Sequence, residues 1–162
     1  YGLFGSIFFV VALKLGYSLL AGSLTVAIII LPVIISTTED AIKTVPISYK
    51  EASLGLGATK FQTLYKVILP SSLSGILVGI ILSVGRIVGE SAAILLTAGT
   101  VAKMPSGIMS SGRTLTIQAY LVTQEAGNIE EASAVGIVLI LIILAINILA
   151  KLITKKFNKA NY

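Results

Sequence analysis

The sequence predicts an all-α membrane protein in which several transmembrane helices form a bundle. Hydrophobic residues make up 56% of the 162-residue chain, and its mean hydropathy is +0.99. Charged residues account for only 12%, which is about half the share found in soluble domains. A soluble domain of this length has too little interior to bury so much apolar surface. The chain is therefore expected to place most of its helices in lipid.

Long apolar runs place the predicted spans at residues 2–15, 19–36, 72–99 and 132–153. A helix needs roughly 20 apolar residues to cross a hydrocarbon core of about 30 Å. The last three runs are long enough to cross. The first is shorter and already apolar at the first residue, so we expect it to be the end of a span whose beginning is missing.

Lysine residues predict the orientation of these spans. The 37–71 loop and the 154–162 tail are rich in lysine, whereas the 100–131 loop holds two basic and three acidic residues. Cytoplasmic segments carry an excess of Lys and Arg, so the first loop and the tail are predicted to be cytoplasmic and the 100–131 loop external. The lysines concerned are Lys43, Lys50, Lys60 and Lys66 in the loop and Lys151, Lys155, Lys156 and Lys159 in the tail.

The composition excludes several kinds of active site. The chain contains neither Cys nor His, which removes disulfides, Ser-His-Asp triads and most transition-metal sites. No GxxxxGK[ST] sequence occurs, so no P-loop for ATP is expected. The net charge of +5 does not predict nucleic-acid binding, because the lysines flank apolar spans instead of forming a stripe. We expect no enzyme activity in the chain itself and no cofactor.

The 37–71 loop is predicted to contain two short helices, of which the first covers roughly Thr44 or Val45 to Leu56. Pro46 suits its first turn, where a missing N–H leaves no hydrogen bond unmade. Gly57 follows its last residue and is typical of a left-handed C-terminal cap. The first helix should therefore end on the surface, at a glycine.

The second loop helix is predicted to start at a capping box formed by Thr59 and Gln62. Pro70 disfavours helical geometry in the residue before it, so we expect this helix to end there. The next span should then begin afresh, with Ser71 or Ser72 as its cap.

Phe61 and Tyr65 are predicted to share one face of this second helix, because they are four residues apart. Lys60 and Lys66 lie beside them in sequence. Two interpretations are open. The aromatic pair suits insertion into the groove of a partner protein. The same helix could instead lie on the membrane, with its aromatic rings among the headgroups and its lysines near anionic lipid.

Arg86 and Glu90 are ionisable residues in the middle of the predicted 72–99 span, where a charge is costly unless it is paired or faces water. If the span is one helix, both fall on a face of small and hydroxyl residues. That face comprises Gly75, Gly79, Ser83, Arg86, Glu90, Ala93 and Thr97. One hypothesis is that it lines a translocation path where Arg86 meets an anion. The other is that an internal salt bridge holds two helices together.

The loop resembles the EAA loop of ABC importer permeases, whose pattern is E-A-A, three residues, G, nine residues, I-x-L-P. The matching residues are Glu51, Ala52, Gly57, Leu69 and Pro70. Ser53 replaces the second Ala, and Val67 replaces Ile. The resemblance implies that the loop forms coupling helices, with Phe61 and Tyr65, that seat in a separate ATPase subunit.

The stretch GRIVGESAAILLTAGTV, residues 85–101, resembles the phosphate importer permeases of the PstA type. Residues 1–9, 31–46 and 110–125 add to that resemblance, which covers nearly the whole chain. It implies the last four spans of a six-span subunit with the MetI-like fold of type I importers. Under the first hypothesis for the 72–99 face, the substrate path is formed by Arg86, Glu90, Ser83 and Thr97.

The same resemblance implies a bacterial plasma-membrane importer with several protein partners. These are two copies of an ATP-binding subunit, a second permease of the PstC type and an external phosphate-binding protein. Three alternatives stay open. The chain could serve another oxyanion, such as molybdate or sulfate. It could be an ion-coupled secondary carrier that uses Arg86 and Glu90 as its coupling pair, or a purely structural membrane subunit.

Overall fold

The computed structural model describes residues 1–125 and 127–160, with the side chains of 153 and 155–160 excepted. Within these residues the chain forms α-helices and connecting loops and contains no β-strand, so the predicted all-α class is confirmed. The helices are α1 (Gly2–Gly5), α2 (Leu19–Lys43), α3 (Ile47–Gly55), α4 (Lys60–Thr63), α5 (Leu69–Val88), α6 (Ala92–Leu95), α7 (Leu115–Glu125) and α8 (Ile129–Ala160). Two π-helical segments, Ser6–Ala12 and Leu64–Ile68, continue α1 and join α4 to α5.

Three helices in the described part are long and apolar enough to cross a membrane. They are Leu19–Lys43, Lys60–Val88 and Ile129–Leu152. A shorter apolar helix covers Gly2–Ala12. The chain is an integral membrane protein. Residues 154–160 of the predicted tail continue α8, whereas residues 161 and 162 and the side chains of Lys155, Lys156 and Lys159 lie outside the described part.

Helix α2 continues two turns beyond the predicted boundary at residue 36 and contains Pro32. Its polar end is held by local contacts. The Thr37 hydroxyl donates to the Val33 carbonyl (2.9 Å), and Lys43 Nζ lies 2.6 Å from Glu39 Oε1, one turn away. The predicted boundary was based on hydropathy, which shows only where the apolar sequence ends. The helix continues past that point because these local contacts stabilise its polar turns.

The predicted break at Pro70 is wrong, because the chain is helical without interruption from Lys60 to Val88. The π-helical segment Leu64–Ile68 lies just before the proline. Its wider turns accommodate a residue that would clash with a regular α-helix. Ser71 and Ser72 do not cap a new helix and instead donate their hydroxyls to carbonyls of the preceding turn.

The predicted single helix over residues 72–99 is also wrong in its second part. Helix α5 ends at Val88, and residues 89–91 are not helical. The short helix α6 then begins at Ala92, whose neighbour Ala93 donates its N–H to Glu90 Oε1 (3.1 Å). Ser91 is the N-cap residue and makes no side-chain cap bond, so the Glu90 carboxylate, one residue before it, supplies the acceptor for the first turn of α6.

Two compact units make up the structure. The first consists of Tyr1–Leu31 and Val84–Ile146, and the second of Pro32–Ser83 and the chain from Asn147 onwards. The core of the first unit has two clusters of buried residues. One contains Val26, Ile94, Ala98 and Ile117, and the other Phe9, Val10 and Ala21. Helix α7 also belongs to this unit, with Ile117 and Val122 buried.

Candidate functional site

The loop between α2 and α5 contains the two short helices that the sequence predicts. Helix α3 starts after Pro46, and Gly57 follows its end with a φ of +84°. A Cβ added to Gly57 would meet no atom within 4 Å. Glycine is therefore required here by the left-handed backbone and not by lack of space.

The capping box at the start of α4 is confirmed. The Thr59 N–H donates to Gln62 Oε1 (2.9 Å), and the Gln62 N–H donates to Thr59 Oγ1 (3.3 Å). These reciprocal bonds satisfy two N–H groups that the first helical turn leaves without partners. The direction of α4 is thereby fixed at its first residue.

Phe61 and Tyr65 form an exposed aromatic pair on this helix. Their ring centroids are 4.7 Å apart with the ring planes tilted by 40°. Phe61 is 69% and Tyr65 57% exposed, with Leu64 beside them at 38%. Lys60 and Lys66 are exposed as well. The arrangement gives a rigid apolar projection in a basic surround, which is what either a protein groove or a lipid surface would accept.

A hydroxyl pair between the two loop helices is a feature that the sequence reasoning missed. Ser53 Oγ on α3 lies 2.9 Å from Thr63 Oγ1 on α4, and Thr63 is only 2% exposed. The signal was available, because Ser53 is the position where the chain departs from the second Ala of the EAA pattern. Glu51 and Ala52 are exposed on the same helix.

The glycines of the predicted small-residue face are packing positions in the second unit. A Cβ on Gly75 would lie 2.8 Å from Ala41 Cβ, and one on Gly79 would lie 2.5 Å from Thr37 Oγ1. The backbone of α5 therefore lies directly against small side chains of α2 here, which a larger residue in place of either glycine would prevent. Ser83 is buried, and its hydroxyl donates to the Gly79 carbonyl (2.9 Å).

Arg86 and Glu90 do not share a helix face as predicted, because α5 ends between them. In the part of the chain whose side chains are described, the one ion pair within 4.0 Å joins Lys43 and Glu39. The Arg86–Glu90 salt bridge expected under the second hypothesis is thus not formed. Arg86 is exposed, and Glu90 is half-buried with its carboxylate engaged by α6.

Thr97 and the Glu90 backbone hold the broken helix in place within the first unit. The Thr97 side chain is completely buried, and its hydroxyl donates to the Ala93 carbonyl (2.6 Å). Its carbonyl accepts the Ser18 N–H (3.2 Å). The Glu90 carbonyl accepts from Thr116 Oγ1 (3.3 Å) at the start of α7. The break is a fixed part of the fold and not a loose connection.

Residues 99–114, which we call the Gly99–Thr114 segment, are irregular but strongly held. The N–H groups of Leu19 and Leu20, at the start of α2, donate to the Ser110 and Ile108 carbonyls (3.0 and 2.9 Å). Arg113 fixes the other side of the segment by donating from Nε to the Thr100 carbonyl and from Nη1 to Gln118 Oε1, both at 2.7 Å. In the part of the chain that the structure describes, no cluster of His, Cys, Asp or Glu is placed to hold a metal ion.

Comparison with known proteins identifies relatives of this chain. The family model described as "Binding-protein-dependent transport system inner membrane component" matches residues 3–160. The Bacillus subtilis protein "Probable ABC transporter permease protein YqgI" is 35% identical over 167 residues, covering 93% of this chain and 56% of that protein.

Two further relatives carry phosphate transport in their names. The Mycoplasma pneumoniae "Phosphate transport system permease protein PstA homolog" is 35% identical, covering 74% of this chain and 19% of its own length. The Methanocaldococcus jannaschii "Probable phosphate transport system permease protein PstA" is 33% identical, covering 79% of this chain and 46% of its own. The chain thus spans about half the length of these relatives or less. No solved structure matches it.

Proposed function

The chain belongs to the binding-protein-dependent transport system inner membrane components, and we propose that it is a membrane subunit of an ATP-driven phosphate importer. Family membership supports transport across the membrane as the general role. The relatives named as phosphate transport permeases support phosphate as the substrate. The ATP site lies on a separate subunit in this proposal.

The exposed Phe61–Tyr65 pair is the observation that carries the coupling to ATP hydrolysis. A short helix with a completed capping box and two aromatic rings in contact presents its anchor in one orientation. Aromatic side chains with little conformational freedom are the residues that dominate binding at protein interfaces. We propose that this pair enters a groove of the ATPase subunit, with Glu51, Ala52 and Gly57 shaping the surface around it.

The coupling helix and the following span form a single uninterrupted helix, Lys60–Val88, that includes Leu69 and Pro70. A displacement of its first turn by the ATPase subunit would therefore be passed along the helix, because no loop interrupts it, although Pro70 has no N–H to donate. Alternating access follows from such displacements. ATP binding would bring the coupling loops of two permease subunits together, and hydrolysis would release them.

We further propose that Arg86, Glu90, Ser83 and Thr97 contribute to the substrate path. Arginine keeps its charge at all relevant pH values and offers several donors to an oxyanion. Arg86 is exposed and not paired with Glu90, so its charge is available to substrate. Glu90 would act by holding the break after α5, and the Ser83 and Thr97 hydroxyls would have to leave their present carbonyl partners to reach phosphate.

The proposal assigns partners and sides of the membrane as follows. Two copies of an ATP-binding subunit bind at the cytoplasmic loop, and a second permease of the PstC type pairs with this chain. A phosphate-binding protein docks on the external side. The chain lies in a bacterial plasma membrane with its C-terminus in the cytoplasm.

Reconstitution of the full transporter in liposomes tests this function. We expect ATP hydrolysis to be stimulated by phosphate only when the binding protein is present, and phosphate uptake to depend on ATP. Arg86→Gln should abolish uptake while leaving the amount of assembled transporter unchanged. Stimulation by sulfate or molybdate in place of phosphate would reassign the substrate. Uptake driven by an ion gradient without ATP would overturn the proposal.

A further inference from the structure

The Gly99–Thr114 segment lines a pocket of about 310 Å³ in the first unit, which is open to the surface. Its lining combines two cationic side chains, Lys103 and Arg113, with apolar ones that include Leu19, Val101 and Met104. A volume of about 300 Å³ lies at the lower end of the range for small-molecule sites. The function proposed above makes no use of this pocket.

Hydrogen bonds hold the two ends of the segment that lines the pocket. Bonds from Leu19 and Leu20 hold the segment on the start of α2, and the Gly112 N–H donates to the Ala98 carbonyl (3.2 Å). Gly99 adopts a φ of +91°, and the Ser111 hydroxyl beside it donates to the Ala98 carbonyl (2.7 Å). Arg113 and Gly112 in the lining are therefore held in place, whereas Val101 and Met104 are 50% and 90% exposed.

The charge of Arg113 has no carboxylate partner in the part of the chain whose side chains are described. Its guanidinium is positioned by a backbone carbonyl and an amide oxygen, both neutral. The only ion pair within 4.0 Å there joins Lys43 and Glu39. These two bonds use Nε and one hydrogen of Nη1, so the remaining N–H groups are left for a ligand. A half-buried cation held by neutral acceptors favours a bound anion.

The sequence around the pocket reinforces this positive charge. Residues 91–124 contain no Asp or Glu, and their only charged residues are Lys103 and Arg113. On the proposed orientation this part of the chain is external, where Lys and Arg are depleted in membrane proteins. The acidic residues of the 100–131 loop lie at its far end, at Glu125, Glu130 and Glu131, so the two cations that line the pocket have no acidic neighbour in sequence.

We propose that the pocket is a binding site for a phosphate-type oxyanion, held by the free N–H groups of Arg113 and by the Lys103 ammonium. Arginine can bind such an anion through two parallel hydrogen bonds, while lysine adds a mobile point charge. The phosphate group could come from free inorganic phosphate or from a phospholipid headgroup. The external position of the site rests on the proposed function, whereas its oxyanion chemistry does not.

The test measures binding of radiolabelled inorganic phosphate to the intact transporter in nanodiscs, without ATP and without the binding protein. All variants carry Arg86→Gln, so that binding at the proposed substrate path is not counted. We expect Arg113→Gln to weaken phosphate binding about tenfold to a hundredfold, as loss of charged hydrogen bonds predicts. Arg113→Lys should weaken it less. Binding should also weaken as salt is raised, since the site is partly exposed.

Lys103→Gln and Lys14→Gln are a matched pair of variants that should leave the fold of the segment unchanged. Both lysines are exposed, but only Lys103 lines the pocket. We expect Lys103→Gln to weaken binding severalfold and Lys14→Gln, which removes the same charge outside the pocket, to leave it unchanged. Equal effects of the two variants would overturn the proposal, because they would indicate a general electrostatic attraction.

Native mass spectrometry of the same samples separates the two sources of phosphate. If the ligand is a headgroup, a phospholipid stays bound to the transporter and is lost in Arg113→Gln and Lys103→Gln. If the ligand is free phosphate, the two substitutions weaken binding of radiolabelled phosphate and leave the amount of bound phospholipid unchanged. The proposal is overturned if neither measurement changes in either variant. ATP-driven uptake is not measured here, so a failure of the proposed transport function leaves this result standing.

Discussion

Two of the breaks between the helices are built from different chemistry. In the cytoplasmic loop of the proposed function, the break lies at Gly57, with a φ of +84°, and is followed by the Thr59–Gln62 capping box. Within residues 72–99, the break covers 89–91, and Glu90 supplies the acceptor that starts α6. The first break uses glycine and neutral polar groups, whereas the second uses one carboxylate in an apolar sequence.

The surroundings of the two breaks differ as well. The first is followed by the exposed rings of Phe61 and Tyr65, and the second by the buried residues Ala93, Ile94 and Thr97. A surface break leaves its helix free to present side chains to a partner. We call the second the buried break because buried residues of α6 follow it; of its own residues, Gly89 is exposed and Glu90 and Ser91 are half-buried.

The largest expected effect concerns what the surface break presents. Replacing both Phe61 and Tyr65 by Ala should weaken binding of the ATPase subunit by at least about 2 kcal/mol, or about 30-fold, because central aromatic anchors dominate interface energies. The affinity can be measured by titrating the ATPase subunit onto the permease in nanodiscs.

Tyr49→Ala is the matched control for this prediction. Tyr49 lies on α3, in the same loop, and is 52% exposed. We expect its loss to matter less than that of the Phe61–Tyr65 pair. If all three rings count equally, the contact spreads over the loop. If none matters, the membrane-surface interpretation of α4 gains support.

The second prediction tests whether a hydrogen bond or a charge holds the buried break. Glu90→Ala removes the acceptor of the Ala93 N–H and should destabilise the transporter by about 1.5 kcal/mol. Glu90→Gln keeps an oxygen in place and should stay within about 0.5 kcal/mol of the wild type. Denaturation in detergent micelles measures both variants. Equal losses for Ala and Gln would mean that the negative charge is needed.

The sequence predicted the surface break well and the buried one not at all. Gly57, Thr59 and Gln62 are local signals, since their backbone preferences and hydrogen bonds act within a few residues. The break after Val88 depends on contacts with distant residues, among them the bond from Thr116 to the Glu90 carbonyl. The hydropathy of residues 72–99 shows only a continuous apolar run. Arg86 and Glu90 were therefore predicted to lie on one helix.

Pro70 shows the opposite failure. The rule that proline disfavours helix in the residue before it predicted a break here. The helix has no break, because the π-helical segment Leu64–Ile68 accommodates the proline ring. The composition, the apolar runs and the family pattern were enough to predict the all-α membrane class. The Gly99–Thr114 pocket was beyond prediction, since its walls combine Leu19 at the start of α2 with residues of the segment itself, which are far apart in sequence.

The third prediction uses two neighbouring glycines with opposite requirements. Gly57→Ala should destabilise the loop by about 1 kcal/mol, because Ala is strained at positive φ. Gly55→Ala should stabilise it by about 0.5 kcal/mol, since Gly55 lies within α3 and has open space around its Cβ position. Hydrogen exchange of the loop amides measures both. The same sign for both variants would show that the break does not depend on the left-handed backbone.

The smallest expected effect concerns the hydroxyl pair that joins the two helices at the surface break. Ser53→Ala should cost only about 0.5 kcal/mol, because the Thr63 hydroxyl can turn to a carbonyl of its own helix. Thr63→Val leaves the Ser53 hydroxyl near water and should cost a similar amount. If the 2.9 Å contact is the shared cause, the double variant should cost less than the two single variants together. Strict additivity in the hydrogen-exchange free energies would show that the helices are held by packing alone, and the surface break would then resemble the buried one in what keeps it in place.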